Sequence, residues 1–179
     1  MRTYHFLAET TSTNDVAKTL ASQTDSPNAV IVAERQLKGR GSNELVWISD
    51  SKEGLYYSYL TCPTQTPEDI QSLLTIVAHR VVEVIEQLTG LRAEVEWPND
   101  IILNQKKVGG ILIETAVGTL PPKMKYVIIG IGLNINQTTF PESLKHSAIS
   151  LWQVGQVHYP KYPFIHELTQ ELDNVFSRH

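Results

Sequence analysis

Cysteine is almost missing: Cys62 is the single one in 179 residues, which excludes an intramolecular disulfide and a zinc site built from several thiolates and fits a reducing compartment. An excess of positive charge is missing too. Fifteen lysines and arginines stand against nineteen aspartates and glutamates, a formal charge of −4, so the electrostatic footprint of a protein that works on nucleic acid or anionic lipid is not present. Long apolar runs are also lacking. No stretch reaches the ~20 apolar residues that cross a bilayer, and the first thirty residues contain no apolar block of roughly 7–15 residues such as a secretory leader carries. The expectation is one soluble, cytoplasmic domain over residues 1–179, with neither nucleic acid nor membrane as partner.

What is present is a mixture of strand and helix patterns. TYHFLAE (3–9) alternates like a strand, and STND (12–15) offers side-chain oxygens to cap a helix through VAKTLAS. NAVIVAER (28–35) and LYYSYL (55–60) read as strands flanking a polar, glycine-bearing loop too long for a hairpin turn. Thr66 and Pro67 supply a cap and first-turn proline for a helix whose apolar set runs Ile70, Leu73, Leu74, Val77, Val81, Val84, Ile85 and Leu88, with Gly90 to end it. AEVEW (93–97), IILN (101–104), KVGGILIET (107–115) and YVIIGIGLNIN (126–136) then follow as strands, with a tight turn near Asn104-Gln105 and a looser one at GTLPP (118–122). A weakly patterned segment follows QTTFPES, and Phe164, Ile165, Leu168, Leu172, Val175 and Phe176 space a closing helix. Hairpin-like links outnumber βαβ crossovers, so the fold class is α+β.

Three stretches have the composition of chemistry. AERQLKGRGSNELVW interleaves Lys38 and Arg40 with Gly39 and Gly41, so that exposed amides and a guanidinium can wrap an oxyanion; a plain surface turn is the alternative. WPND (97–100) uses Pro98 to force an extended turn that aims Asn99 and Asp100 at one point, although Asx turns do this without any ligand. In KKVGGILIE, strict strand alternation places Lys107 on the face of Gly109 and Ile111, with Val108 and Gly110 opposite, and a glycine beside a lysine leaves space for a ligand; two glycines in a row point either to a bulge or to such a close approach. Lys106 reads as an edge lysine that blocks strand addition. Gly130, Gly132 and Asn134 share a face of IGIGLNIN and could form a ligand floor.

STN at 12–14, AERQ-x-x-GRG at 33–41, WPND-I at 97–101, KKVGGILIE at 106–114 and GIGLNIN at 130–136 together resemble, in order and separation, the signatures of the biotin protein ligase catalytic domain. The resemblance implies a mixed β-sheet flanked by helices, of the class II aminoacyl-tRNA synthetase-like, biotin-lipoate ligase type. It implies ATP with Mg2+ and biotin as substrates, with no metal ligand assigned beyond the option that Asp100 binds metal, and a biotin carboxyl carrier protein of acetyl-CoA carboxylase or a related enzyme as partner. On it, Ser12, Thr13, Asn14, Gln36, Gly39, Arg40, Gly41, Ser42, Lys107, Gly109 and Gly110 match biotin-binding positions. Arg40, Trp47, Asn99, Asp100, Lys107 and Asn134 match ATP-binding positions, and Lys107, Arg40 and Asp100 the catalytic ones. Lys107 would bridge the biotin carboxylate and the α-phosphate, Arg40 would clamp that phosphate, and Asp100 would receive a proton from the acceptor amine or orient it.

Two departures stand out. Ser42 and Leu45 occupy places where the family's loop often carries arginine, which lowers the loop's charge and predicts an adenylate that escapes more readily, and Glu96 replaces a frequent basic residue. The pattern also ends without the small β domain that many relatives continue into, and without the DNA-binding extension of the repressor relatives. A lipoate ligase-like acyltransferase and a non-catalytic biotin-binding domain stay open as alternatives, and an exposed sheet edge is compatible with a homodimer.

Overall fold

The computed structural model describes residues 2–24, 27–42, 45–63, 70–117 and 124–177. Thr66-Pro67, the GTLPP turn and Glu44 lie outside them. The elements run β1 (Thr3–Leu7), α1 (Thr13–Ala21), β2 (Ala29–Ala33), β3 (Leu55–Thr61), α2 (Ile70–Thr89), β4 (Glu94–Glu96), β5 (Asp100–Leu103), β6 (Lys106–Val117), β7 (Met124–Leu133), α3 (Leu151–Gly155) and α4 (Lys161–Ser177). Seven strands form one sheet in the order β1-β2-β3-β7-β6-β5-β4. Only β1 and β2 pair in parallel, joined by α1 as the crossover; the other pairs are antiparallel.

Strand alternation sorts the side chains into two layers. Tyr57 and Tyr59 of β3 and Val127, Ile129 and Ile131 of β7 bury against Val77, Val81, Val84 and Ile85 of α2 and Phe164, Leu168 and Leu172 of α4. Each such apolar side chain contributes about 1.5–3 kcal/mol on burial, so this layer is the main core. The opposite face is covered only in part, by α1 through Ala17 against Ala29, Ile31, Leu60 and Ile128. The remainder of that face is where Tyr56 and Ser58 of β3, Lys107 and Glu114 of β6 and the glycines of β7 gather.

Local signals explain the element ends. Gly90 closes α2 at φ +71°, and Asn104 and Gln105 take φ 49° and 63°, the two left-handed residues that a twist-matched two-residue hairpin needs. Ser150 and Gln153 form a reciprocal capping box that starts α3, a helix the apolar spacing does not announce. Arg2 staples the chain start to α4 by an ion pair to Asp173 while its guanidinium lies 3.8 Å from the Tyr59 ring centroid.

Candidate functional site

Two glycines of β7 make the floor. Gly130 and Gly132 pair with Leu112 and Gly110 of β6 on one side and with Ser58 and Tyr56 of β3 on the other. Because they have no side chains, larger groups sit directly on the sheet. A Cβ at Gly130 would lie 2.6 Å from Asn14 Oδ1, and one at Gly132 would lie 2.5 Å from Trp47 Cε2. Asn14 comes from the first turn of α1, and Trp47 from a strap, residues 36–49, that folds back over the floor.

The strap is held at its base by Gln36 N–H donating to Ser49 O at 2.8 Å and Trp47 N–H donating to Gly39 O at 3.0 Å. Nearer its tip, Gly41 N–H donates to Leu45 O at 2.7 Å, and Asn99 Nδ2 donates to Ser42 Oγ at 3.1 Å. A Cβ at Gly39 would strike Ser49 Oγ and the Trp47 carbonyl, so the close crossing of the strap's two limbs requires glycine there.

Under the strap lies an inner cavity of ≈ 40 Å³, lined by Ser12, Thr13, Asn14, Gln36, Arg40 and Lys107 among others. Its polar wall is wired as one chain. Thr13 N–H and Oγ1 both donate to Gln36 Oε1, at 2.8 and 3.1 Å, and Gln36 Nε2 donates to Ser49 Oγ. The fully buried Ser58 hydroxyl lies 2.7 Å from Thr13 Oγ1 and 2.5 Å from Asn14 Oδ1, and Asn14 Nδ2 donates to Glu114 Oε2 at 2.7 Å. Buried polar groups need such partners, and the network fixes which atom of each side chain faces the cavity. Beyond Trp47 lies an outer cavity of ≈ 350 Å³, largely apolar, where Leu45, Val46 and Ile48 of the strap face Phe140, Pro141 and Leu144.

Both cations at the site carry a carboxylate partner. Lys107 Nζ is 2.7 Å from Asp100 Oδ1 and 5.6 Å from the Trp47 ring centroid. Arg40 donates through Nη1 and Nη2 to the two oxygens of Asp15, at 3.0 and 2.6 Å, with Glu114 3.9 Å away. The Arg40 hydrogen bonds hold the Asp15 carboxyl below the usual carboxylate range against the opposing effect of burial, and the same bonds raise Arg40.

The model of the biotin/lipoate A/B protein ligase family matches residues 6–134. The chain belongs to that family. It is 37% identical over 146 residues to the bifunctional ligase/repressor BirA of Bacillus subtilis, across 80% of this chain and 44% of that protein. It is 28% identical to the biotin–[acetyl-CoA-carboxylase] ligase of Mycobacterium tuberculosis across 93% of this chain and 61% of that one. The chain thus spans less than two thirds of either relative. Among solved structures, the Aquifex aeolicus biotin protein ligase in complex with biotin and ATP superposes with TM-score 0.82 at 28% identity, covering 98% of this chain and 71% of that one. The Leishmania major enzyme in complex with biotinyl-5-AMP gives 0.80 at 26%, covering 98% and 75%. The α+β fold with a mixed sheet expected from the sequence is the fold of this biotin/lipoate ligase family.

Most family-motif residues nominated from the sequence converge. Ser12, Thr13, Asn14, Gln36, Arg40, Gly41, Ser42, Trp47, Asn99, Lys107 and Gly110 line the inner cavity. Asn134 lines the outer one, its Nδ2 donating to the carbonyls of Lys107 and Ile149 at 3.3 and 3.1 Å. Asp100 meets the site through Lys107, and Gly39 serves the strap's crossing. One expectation is overturned. The β5–β6 register shifts between Ile101 and Ile102, opposite Gly109 and Lys107, so strict alternation fails there and Lys107 shares its face with Gly110 instead of Gly109. A Cβ at Gly110 would lie 3.5 Å from Lys107 Cε, whereas one at Gly109 would strike Leu133 on the core side, and Gly109 lines neither cavity. Ser58, Tyr56, Glu114 and Asp15 were missed. Ser58 carried a usable signal, since it is the one small polar residue among the large side chains of LYYSYL, on the face opposite Tyr57 and Tyr59.

Proposed function

We propose that the chain joins biotin to ATP, forming biotinyl-5′-AMP with release of pyrophosphate, and passes the biotinyl group to a lysine of a biotin carboxyl carrier protein. One observation carries the reading: Lys107 is the only charged side chain among the described residues that lines both cavities. A carboxylate and an α-phosphate arriving from two sides repel each other. Two unit charges ~4 Å apart interact by about 1 kcal/mol in water and ~4 kcal/mol at an effective dielectric of 20. An ammonium at the junction turns that repulsion into attraction, and its effect grows as charge develops on the attacked phosphate.

The polar wall favours biotin over lipoate. A ureido ring brings two donors and one acceptor that must be satisfied on burial, and the polar lining of Ser12, Thr13, Asn14 and Gln36 can satisfy them, whereas a dithiolane brings no strong donor or acceptor to such a wall. The outer cavity is large enough for a nucleoside, with Trp47 and Asn134 in its lining, while Asn99 and Arg40 in the adjoining inner cavity would meet the phosphates. Gly41, Ser42 and Gly110 bring backbone close to the ligand. Magnesium would arrive on the triphosphate as part of the substrate. Asp100, freed as Lys107 turns to the anions, would then orient or deprotonate the acceptor amine, whose reference pKa is ~10.4; its ion pair with Lys107 is what supports this role.

A carrier of the acetyl-CoA carboxylase type is the partner this reading names, acting in the cytoplasm; no helix among the described residues is long and apolar enough to cross a membrane. The edge strand β1, with Tyr4 and Phe6 exposed, leaves a surface for a homodimer, which sedimentation would test. The deciding experiment mixes the chain with biotin, ATP and magnesium and seeks biotinyl-5′-AMP and pyrophosphate by mass spectrometry, with lipoate as a parallel substrate and Lys107→Ala as control. Adenylate from wild type alone, and from biotin in preference to lipoate, is the expected result. Wild type that binds biotin without consuming ATP would leave a passive binder.

A further inference from the structure

Asp15 belongs to none of the motifs, yet it is the residue that Arg40 grips. The contact is fork on fork: Nη1 to Oδ2 at 3.0 Å and Nη2 to Oδ1 at 2.6 Å. That is the geometry in which a guanidinium holds two oxygens of a phosphate or a carboxylate. Both side chains are about one third exposed, Arg40 at 32% and Asp15 at 38%, and pairs this exposed add little to the stability of a fold. Asp15 already sits in the first turn of α1, where a carboxylate is favourable without any arginine.

The neighbouring Glu114 is different. It is engaged by Lys18 Nζ and Asn14 Nδ2, each at 2.7 Å, and stands 3.9 Å from Arg40, so its charge is answered without the guanidinium. Among the described residues, the Asp15 carboxylate accepts hydrogen bonds from Arg40 and a long contact from the Thr11 hydroxyl at 3.4 Å, while Lys18 acts on it through charge alone. Arg40 projects from a strap with few charges of its own, Lys38 being the other described cation on it.

We propose that Asp15 is an internal counter-anion that holds the anion-binding edge of Arg40 and competes with the phosphates of the nucleotide for it. The proposal rests on the ligase reading for the identity of the nucleotide but not for the competition itself. An incoming phosphate displaces Asp15, and Asp15 retakes Arg40 as the phosphate leaves. Asp15 is therefore a positioning residue that sets how firmly the strap grips nucleotide and adenylate. It weakens that grip, keeping a site with few arginines exchangeable.

The test uses the full chain as wild type, Asp15→Asn and Asp15→Glu. Asparagine keeps the shape and removes the charge; glutamate restores a carboxylate. Asp15→Asn should lower KM for ATP and the Kd of inorganic pyrophosphate, read by calorimetry, by about three- to fivefold. It should lengthen the lifetime of bound adenylate by a similar factor and leave the rate of adenylate formation at saturating ATP within about twofold. Asp15→Glu should return toward wild type. A Kd or KM that rises in Asp15→Asn would show that the aspartate orients Arg40 for the ligand, and unchanged values in a folded variant would make the pair a bystander; either overturns the proposal. Should Asp15→Asn fail to fold by thermal melting, a structure of wild type with pyrophosphate decides. Arg40 and Asp15 separated beyond about 4 Å supports the exchange, and an intact pair rejects it. Because pyrophosphate binding is read directly, the inference can stand or fall even if no biotinyl-adenylate is ever formed.

Discussion

The two cavities that meet at Lys107 are built on different principles. The inner one is small, ≈ 40 Å³, and its polar wall is already hydrogen-bonded from Gln36 through Thr13, Ser58 and Asn14 to Glu114. The outer one is roomy, ≈ 350 Å³, and apolar, made by the strap and the segment around Phe140 to Leu144. A preorganised wall selects by leaving a wrong ligand's partners unpaired, whereas an apolar slot selects mainly by size. The inner volume falls well below the ~300 Å³ at which ligand pockets usually begin, because the Trp47 indole lies on Gly132 and Gly110. On the proposed function, discrimination would fall to the inner cavity and accommodation to the outer, and Trp47 would be the partition that a bicyclic ligand displaces.

Removing the element common to both cavities should do the most damage. Lys107→Ala is expected to lower biotin-dependent pyrophosphate release by about 10²–10³-fold, the usual range for a lost preorganised charge donor. A loss under tenfold would mean that the junction cation is not what joins the two sites.

Gly130→Ala should separate the cavities. Its Cβ, 2.6 Å from Asn14 Oδ1 and 3.0 Å from Nδ2, would push Asn14 off the floor and open the inner network. Biotin affinity should fall at least about tenfold and stability by about 1–3 kcal/mol, with ATP affinity little changed. Equal loss for both ligands, measured by calorimetry, would dissolve the distinction between selecting and accommodating regions.

The partition is tested by light. If Trp47 leaves Gly132 when biotin enters, wild type shows a biotin-dependent change in tryptophan emission that Trp47→Phe abolishes. Persistence of the change in that variant would assign it to Trp97 or Trp152 and leave the inner cavity enlarged by another route.

The smallest expected effect concerns the strap's tether in acid. The Asp15 carboxyl is depressed in the folded chain, first by the Arg40 hydrogen bonds. Its stabilising contribution is therefore present above the ordinary aspartate value and lost as pH falls below that value through the folded one. Exposure limits it to under ~1 kcal/mol. Melts of wild type and Asp15→Asn should differ slightly at pH 7 and converge below about pH 3 to 4; a gap that widens in acid would contradict the assigned pair.

Much of this was legible before any coordinates. The i, i+3, i+4 apolar spacing of residues 70–88 gave α2, and the Asn104-Gln105 turn was readable from its residue types. The α3 start was missed although Ser150 and Gln153 carry the capping-box spacing. The glycine pair at 109–110 pointed to a bulge or a close approach, but alternation alone does not place the inserted residue, which moves Gly110, in place of Gly109, beside Lys107. Nor could the carboxylate partners: Asn14 and Glu114 are one hundred positions apart, and Arg40 and Asp15 twenty-five.

By itself the sequence determined the kinds of element, their order and the set of motif residues, since propensity, periodicity and turn chemistry act over a few neighbouring residues. Only the tertiary structure decided that β7 lies between β3 and β6, that each site cation has its own carboxylate, and that an indole fills the inner cavity. These follow from packing and Coulomb forces between residues distant in the chain, which act only after the sheet has brought them together.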